Sequence, residues 1–273
     1  MKKQISNLII SKNIPLSNNY NLLKLTAETT LPEMLPGQFA EILVDNSATT
    51  FLRRPISINF FDREANELWL LVQKVGDGTR KMCEKQAGET LNLIFPLGNG
   101  FSLNAFTERS RSAFTERSRS ALLIGGGVGV APLLFLGAEL HKRGVSVDFL
   151  LGARTANDLL LLDEFEKYGR VFVTTEDGSA GEKGYVTQHS ILTTNDLRLT
   201  TNDYIYTCGP TPMMKAVAQF AVSHEIPCEM SLENTMACGV GACLCCVTKT
   251  REGHKCVCTD GPVFNVLELE DFV

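Results

Sequence analysis

The stretch ALLIGGGVGVAPLL, Ala121 to Leu134, joins an apolar run to a turn built from Gly125, Gly126, Gly127 and Gly129, and then to Pro132 and a second apolar run. Ala121 to Ala138 carries no charge and approaches the length of a membrane span. Its glycines and proline nevertheless make a turn rather than a continuous helix, so the segment reads as strand, glycine turn, helix. Free backbone N–H groups at such a helix start, together with the helix dipole, suit a diphosphate. A tight strand-to-helix packing turn is the plainer alternative for glycines of this kind.

Moving outward, the same rhythm repeats. Pro132 to Arg143 reads as a helix, VSVDFLLGAR (145–154) as a strand, Ala156 to Tyr168 as a helix and RVFVTT (170–175) as a strand. A βαβαβ order implies a parallel sheet with right-handed crossovers. DYIYTCGP (203–210) adds another buried strand, and Thr211 to His224 a helix entered through Pro212. Cys208, Gly209 and Pro210 thereby fall at the end of a parallel strand, where an open α/β sheet places its ligand; a buried strand-end thiol is the plainer reading of Cys208. Thr174-Thr175-Glu176-Asp177 would set carboxylates near a nucleotide ribose and disfavour a 2′-phosphate, with Arg154 the basic residue that would reverse that preference.

Toward the amino terminus, up to about Phe101, short apolar runs such as Leu22–Leu25, Phe39–Val44, Ile56–Phe61 and Leu68–Val75 alternate with turn residues, which suggests a small antiparallel barrel or sandwich. Arg53-Arg54-Pro55-Ile56-Ser57 puts arginines able to clamp a diphosphate on one of these strands. Gly76-Asp77-Gly78-Thr79 offers either an anion nest or a plain helix cap. Between barrel and sheet lies a direct duplication, AFTERSRS at 105–112 and again at 113–120, too short for a solenoid whose period exceeds about 20 residues. It reads as an exposed insertion or linker.

Past Pro227 the composition turns to cysteine and glycine. Six of the nine cysteines lie between Cys238 and Cys258, and Cys238, Cys243, Cys246 and Cys258 read C-x4-C-x2-C-x11-C. Four soft thiolates, three of them from one tight loop rich in small residues, suit a 2Fe-2S cluster. Zinc and disulfides compete. Zinc knuckles use paired C-x2-C units, of which only Cys243 to Cys246 is clean, although Cys256 and Cys258 mimic a second. Cys245 and Cys256 read as small core residues or neighbours of the ligands.

The chain of 273 residues is long enough for two domains and an appended module. A hydrophobic content of 44%, a charged content of 21% and a net charge of -5 describe an ordinary globular protein without the basic footprint of a nucleic-acid binder. Lys2 and Lys3 precede an apolar patch, Leu8 to Ile10, too short for a signal-peptide core. A cytoplasmic setting is expected, with no membrane partner, and its reduced thiols favour a thiolate cluster over disulfides.

RRPISI (53–58), VGDGT (75–79), GGGVGVAPL (125–133), TCGP (207–210), SLENTMACGVGACLCCV (231–247) and VCTDGPVF (257–264) together resemble the electron-transfer subunits of type B dihydroorotate dehydrogenases, which belong to the ferredoxin-reductase-like flavoproteins. The likeness runs nearly the whole chain in order, leaving out only the AFTERSRS duplication. It implies a β plus α/β architecture: an FAD-binding antiparallel β-barrel over 1–101, the duplicated linker over 102–120, a parallel-sheet NAD-binding domain over 121–226 and a small 2Fe-2S module over 227–273. It implies FAD contacts at Arg54, Pro55, Ile56 and Ser57, at Leu71, Val72 and Gln73, and at Gly78 and Thr79. Leu71 to Gln73 depart from the aromatic and basic residues often met on that strand, so what carries over there is backbone contact. It further implies cluster ligation by Cys238, Cys243, Cys246 and Cys258, with Gly125, Gly126, Gly127, Gly129, Cys208, Gly209 and Pro210 facing NAD.

The implied activity is an electron relay in pyrimidine biosynthesis. FAD would stand between NAD, which moves electron pairs as hydride, and a cluster that moves them singly. The implied partner is an FMN-containing dihydroorotate dehydrogenase catalytic subunit, in a hetero-oligomer of two plus two. No residue is expected to act as a general base. The rival readings are a stand-alone or bifurcating ferredoxin or sulfide-type reductase subunit, and a non-catalytic redox sensor. In bifurcating relatives a carboxylate often replaces the first cluster thiolate; here Cys238 is present.

Overall fold

β1 (Gln4–Pro15) alternates exposed and more buried side chains along its first half, the period-two signature of a strand with one wet face. β2 (Tyr20–Thr26), β3 (Phe39–Ile42), β4 (Arg54–Asp62), β5 (Glu67–Gln73) and β6 (Thr90–Leu97) join it in a closed barrel of order β1-β2-β5-β4-β3-β6, every neighbouring pair antiparallel. Closure removes the unpaired edges an open sheet would leave. Leu8, Leu23, Leu25, Ile58, Leu70 and Leu93, all shielded from solvent, supply apolar filling. α1 (Asp77–Glu84) follows β5; the Thr79 hydroxyl accepts the Gly76 N–H and donates to the Gly76 carbonyl, closing its first turn.

This structure, a computed structural model, describes residues 3–45, 47–103, 120–193, 199–201 and 203–273. Of the AFTERSRS duplication only Ser120 is among them. The chain divides into two units, Met1–Gly100 with Glu233–Thr248 and His254–Val263, and Phe101–Leu232 with Lys249–Gly253 and Phe264–Val273. The cysteine-rich segment is thus built into the barrel unit. Asn99 is the fastening: its backbone N–H donates to the Gly261 carbonyl at 2.6 Å, and its side-chain amide donates to the carbonyls of Thr259 and Asp260 at 3.1 and 2.9 Å.

In the second unit, β7 (Ser120–Gly126) leads through a 3-10 turn at Gly127–Val130 into α2 (Ala131–Lys142). β8 (Ser146–Ala153), the single helical turn α3 (Leu162–Phe165), β9 (Arg170–Thr175), β10 (Glu182–Lys183), α4 (Ser190–Thr193), β11 (Tyr204–Cys208), α5 (Thr211–Ser223) and β12 (Cys228–Ser231) follow. β13 (Val247–Thr250) and β14 (Gly253–Cys256) form a two-stranded sheet, and β15 (Val263–Asn265) ends the large one. That sheet runs β10-β9-β8-β7-β11-β12-β15 and is parallel from β10 through β12. β7 is buried along nearly its whole length, as strands covered on both faces are. Among the described residues no helix is long and apolar enough to cross a membrane.

One expected helix is largely missing. Ala156 to Tyr168 forms only a 3-10 turn at Ala156–Asp158 and the α3 turn, because Leu161 takes a left-handed backbone with φ +57° and interrupts the path between them. The Thr155 hydroxyl donates to the Asp158 carboxylate at 2.9 Å and holds the first turn locally. The crossover packs instead through Phe165, edge-on to Phe149 with ring centroids 4.9 Å apart. Phe149 fills the space left by Gly137 of α2, where an added Cβ would come within 2.7 Å of its Cε1. Phe149→Ala is expected to lower stability by about 3–5 kcal/mol, read from the urea midpoint of the purified chain at unchanged m-value.

Candidate cofactor and cluster sites

Between Met236 and Cys246 the chain turns back on itself through Gly239 (φ +65°), Gly241 (φ +84°) and Leu244 (φ +57°). Left-handed backbone at glycine costs little, and here it swings N–H groups toward sulfur. Cys238 Sγ accepts from the N–H groups of Val240 and Cys243 at 3.5 and 3.4 Å, and Cys246 Sγ accepts from the Cys258 N–H at 3.4 Å. Backbone-to-sulfur hydrogen bonds thus link Cys238 with Cys243 and Cys246 with Cys258. Among the described residues no group of three His, Cys, Asp or Glu side chains meets the geometry of a metal site.

The two pairs differ in setting. Cys246 and Cys258 are 2% and 1% exposed, whereas Cys243 is open to solvent and Cys238 partly so. The backbone donors, Val240 N–H first, hold the Cys238 thiol well below its ordinary value, while burial pushes Cys258 up. Four thiols, two sunk and two nearer the rim, with backbone N–H groups already aimed at Cys238 and Cys246, make a donor set that would fit a 2Fe-2S cluster. Cys245 departs from the expectation of a small core residue, since the loop turns it out to solvent. Cys256 is half-buried, and its N–H donates to the Asp260 carboxylate at 2.7 Å.

On the barrel, the two neighbouring arginines have different work. Arg53 is committed to structure, donating to the carbonyls of Glu41 and Asn92 and to the Asn92 side chain. Arg54 lies against the first turn of α1: a Cβ on Gly78 would sit 3.3 Å from its Nε and 3.0 Å from Thr50 Cγ2. Arg54, Gly78 and Thr79 therefore share one place. Arg54 to Ser57 pair with Ile42 to Phe39 of β3, but the register of β4 with β5 ends at Ile58 opposite Leu70. Leu71 to Gln73 run past that point, paired with β2 on one side and without a β4 partner on the other. The side chains of Leu71 and Val72 are buried, and the Gln73 amide donates to the Tyr20 hydroxyl at 3.0 Å, so contact from β5 would come from backbone.

In the other unit, the glycine turn and the Cys208 motif meet. β7 and β11 pair in parallel with Gly125 opposite Cys208. An added Cβ on Gly129 would lie 2.6 Å from the Cys208 carbonyl oxygen and run into Gly209 Cα; one on Gly126 would lie 2.7 Å from Met213 Sδ and 3.1 Å from Pro210 Cδ. Gly127 (φ +56°) has no such neighbour and faces open space. Gly125, Gly126 and Gly129 are thus demanded by packing, and Gly127 by its backbone conformation. After β9, Asp177 is tied into its own turn, accepting from the N–H and hydroxyl of Ser179, while Glu176 and Arg154 are exposed.

Two residues that the sequence pattern did not single out matter here. Asn99 fastens the cysteine segment, and nothing local distinguishes it from any polar loop residue. Glu41 is a carboxylate wholly shielded from solvent within the four-residue strand β3. An acid inside an otherwise apolar FAEI was its one available signal. Burial pushes its carboxyl up to about 7, with the Arg53 charge opposing and Cys238 adding to the rise.

Comparison with known proteins adds to this geometry. Residues 233–270 match the family model described as the iron-sulfur cluster binding domain of dihydroorotate dehydrogenase B, and residues 123–219 match an oxidoreductase NAD-binding domain. The electron transfer subunit of dihydroorotate dehydrogenase B (NAD(+)) from Geobacillus sp. (strain WCH70) is 38% identical over 98% of this chain and 99% of its own length. The Fusobacterium nucleatum subunit of the same name is 35% identical over the same shares. Among solved structures, an NADH-dependent reduced ferredoxin-NADP oxidoreductase superposes with a TM-score of 0.80 at 29% identity, covering 96% of this chain and 89% of that one. A ferredoxin NADP+ reductase from Neisseria gonorrhoeae, solved with FAD and NADP, shares the fold with a TM-score of 0.64 at 17% identity, over 81% of this chain and 91% of that one.

Gly129→Ala is expected to cost about 1–3 kcal/mol, because the methyl group meets backbone at Cys208 and Gly209. Chemical unfolding monitored by circular dichroism reads the loss, with Gly144→Ala, at a left-handed exposed turn, as the control for strain without a clash.

Proposed function

The chain belongs to the family of dihydroorotate dehydrogenase B electron transfer subunits, and from that footing we propose that it relays electrons between NAD and a separate catalytic subunit through FAD and a 2Fe-2S cluster. The observation that carries this reading is the set of three thiols in one loop and a fourth, Cys258, from the next segment, joined by backbone-to-sulfur hydrogen bonds within the same unit as the barrel. Bound together, the cofactors would supply hydride exchange at the nicotinamide and flavin and single-electron exchange at the irons.

The chain's own residues hold, orient and shield. Arg54, with Gly78 and Thr79 in the first turn of α1, would clamp the FAD diphosphate by charge and backbone N–H. Pro55, Ile56 and Ser57 on β4 would line the isoalloxazine, with the backbone of Leu71, Val72 and Gln73 closing the gap beside them. Gly125, Gly126, Gly127 and Gly129 would keep side chains away from the NAD diphosphate, and Cys208, Gly209 and Pro210 would border the nicotinamide. Exposed Glu176 would favour the free ribose hydroxyls of NAD. Cys238, Cys243, Cys246 and Cys258 would ligate the cluster. On this reading the functional modules are 1–101, 121–226 and 227–273, with 102–120 as a linker.

The partner would be an FMN-containing subunit that oxidises dihydroorotate to orotate, in a cytoplasmic assembly of two plus two. The likeness to the NADH-dependent ferredoxin-NADP oxidoreductase supports a second reading, a reductase subunit that passes electrons to another acceptor. Anaerobic reduction separates the two. The purified chain should take electrons from NADH into FAD and cluster, and dihydroorotate should reduce it only when the catalytic subunit is added. Zinc in place of iron, or turnover of a ferredoxin acceptor without a partner, would contradict the proposal. Cys258→Ser should abolish the paramagnetic signal seen after dithionite while NADH still bleaches the flavin.

A further inference from the structure

Neither carboxylate oxygen of Glu41 has a hydrogen-bond partner among the described residues, and the residue is 0% exposed. An unpaired buried carboxylate costs several kcal/mol when ionised, so it weakens the fold rather than supporting it. The neighbouring cation Arg53 does not hydrogen-bond the carboxylate: it bonds to the Glu41 carbonyl at 3.2 Å, to the Asn92 carbonyl at 3.1 Å and to the Asn92 side chain. Arg54, the other neighbouring cation, donates to the Arg53 carbonyl.

What the side chain does touch is the ligand loop. A Cβ on Gly239 would lie 2.5 Å from Glu41 Cγ and 3.0 Å from its Oε1, so the loop lies directly over the carboxyl one residue past Cys238. Glu41 pairs with Pro55 across β3 and β4, and Phe39 with Ser57, which puts Glu41 on the same face of the ribbon as Pro55 and Ser57, two of the residues assigned to the flavin, while Arg54 and Ile56 take the other face. Glu41 thus lies against the loop that carries Cys238, on the barrel face that carries Pro55 and Ser57.

We propose that Glu41 is a positioning residue that sets the reduction potential of the cluster, its carboxylate pressed against the Gly239 turn and lowering the potential of the iron pair held by Cys238. The inference rests on the cluster reading above. With the carboxyl ionised, an added electron is repelled by its negative charge in a poorly solvated setting, and the net charge around an iron-sulfur centre is one of the levers on its potential.

The test is a redox titration of the full chain carrying FAD and cluster, in alkaline buffer, following the cluster by EPR and the flavin by absorbance. Glu41→Gln should raise the cluster midpoint while leaving iron content, FAD content and the flavin midpoint unchanged. Glu41→Met, which keeps the length without charge, should show the same rise if the glutamine variant assembles poorly, and Glu41→Asp should stay near the parent. An unchanged cluster midpoint in both neutral variants overturns the proposal, as does a shift confined to the flavin or an equal rise in the aspartate variant. A parent chain without an EPR signal would instead sink the cluster reading itself.

Discussion

Three hydrogen bonds from Asn99 tie the segment Thr259 to Gly261 to the end of the barrel, and the relay depends on that tie. Electron exchange between a flavin and an iron-sulfur centre requires a short, constant separation, and a cysteine loop joined to the barrel only through the chain would not provide one. Gly98 reinforces the contact: an added Cβ there would press against Pro262 at 2.5 Å and Gly261 O at 2.9 Å. Cys258 sits one residue before Thr259, so the fastening and the cysteine set share a few residues of backbone. Each Asn99 bond adds only about 1 kcal/mol net; together they remove the freedom of a segment far away in sequence.

The second unit follows a different rule, close approach of backbone to backbone. Gly129 and Gly209 come from turns about eighty residues apart, yet Gly209 occupies the space where a Gly129 side chain would be, and Gly126 and Met213 the space where a Gly209 side chain would be. The parallel register of Gly125 with Cys208 brings them there. Each turn is bare of side chains at its glycines and leads into a helix, the pattern of backbone that dinucleotide-binding turns use. Met213 and Pro210 then cap Gly126 and keep the turn from opening.

Much of this was legible in the sequence because several motifs have few alternative meanings. A glycine run between an apolar strand and a helix, and four cysteines with a tight first spacing, each constrain the backbone locally. The barrel's short apolar runs likewise announced strands, though not their closure. Long-range placement was not written there. Leu161 looks like one more leucine in a helical run, but its left-handed backbone is set by the surroundings, and the expected helix breaks at it. Cys245 carries a residue type that is usually buried, yet the turn at Leu244 sends it outward. Asn99 and Glu41 owe their importance to partners more than fifty residues away in the chain.

The rim of the cysteine loop carries a further consequence. Cys243 and Cys245 are open to solvent, and Leu244 between them is 63% exposed. Electrophiles and dissolved oxygen attack accessible sulfur first. Ageing of the isolated protein would therefore begin at this lip, by oxidation or alkylation of sulfur, long before the barrel or the sheet loosened, and a surface that covered Leu244 would act as a chemical seal as well as an electrical contact.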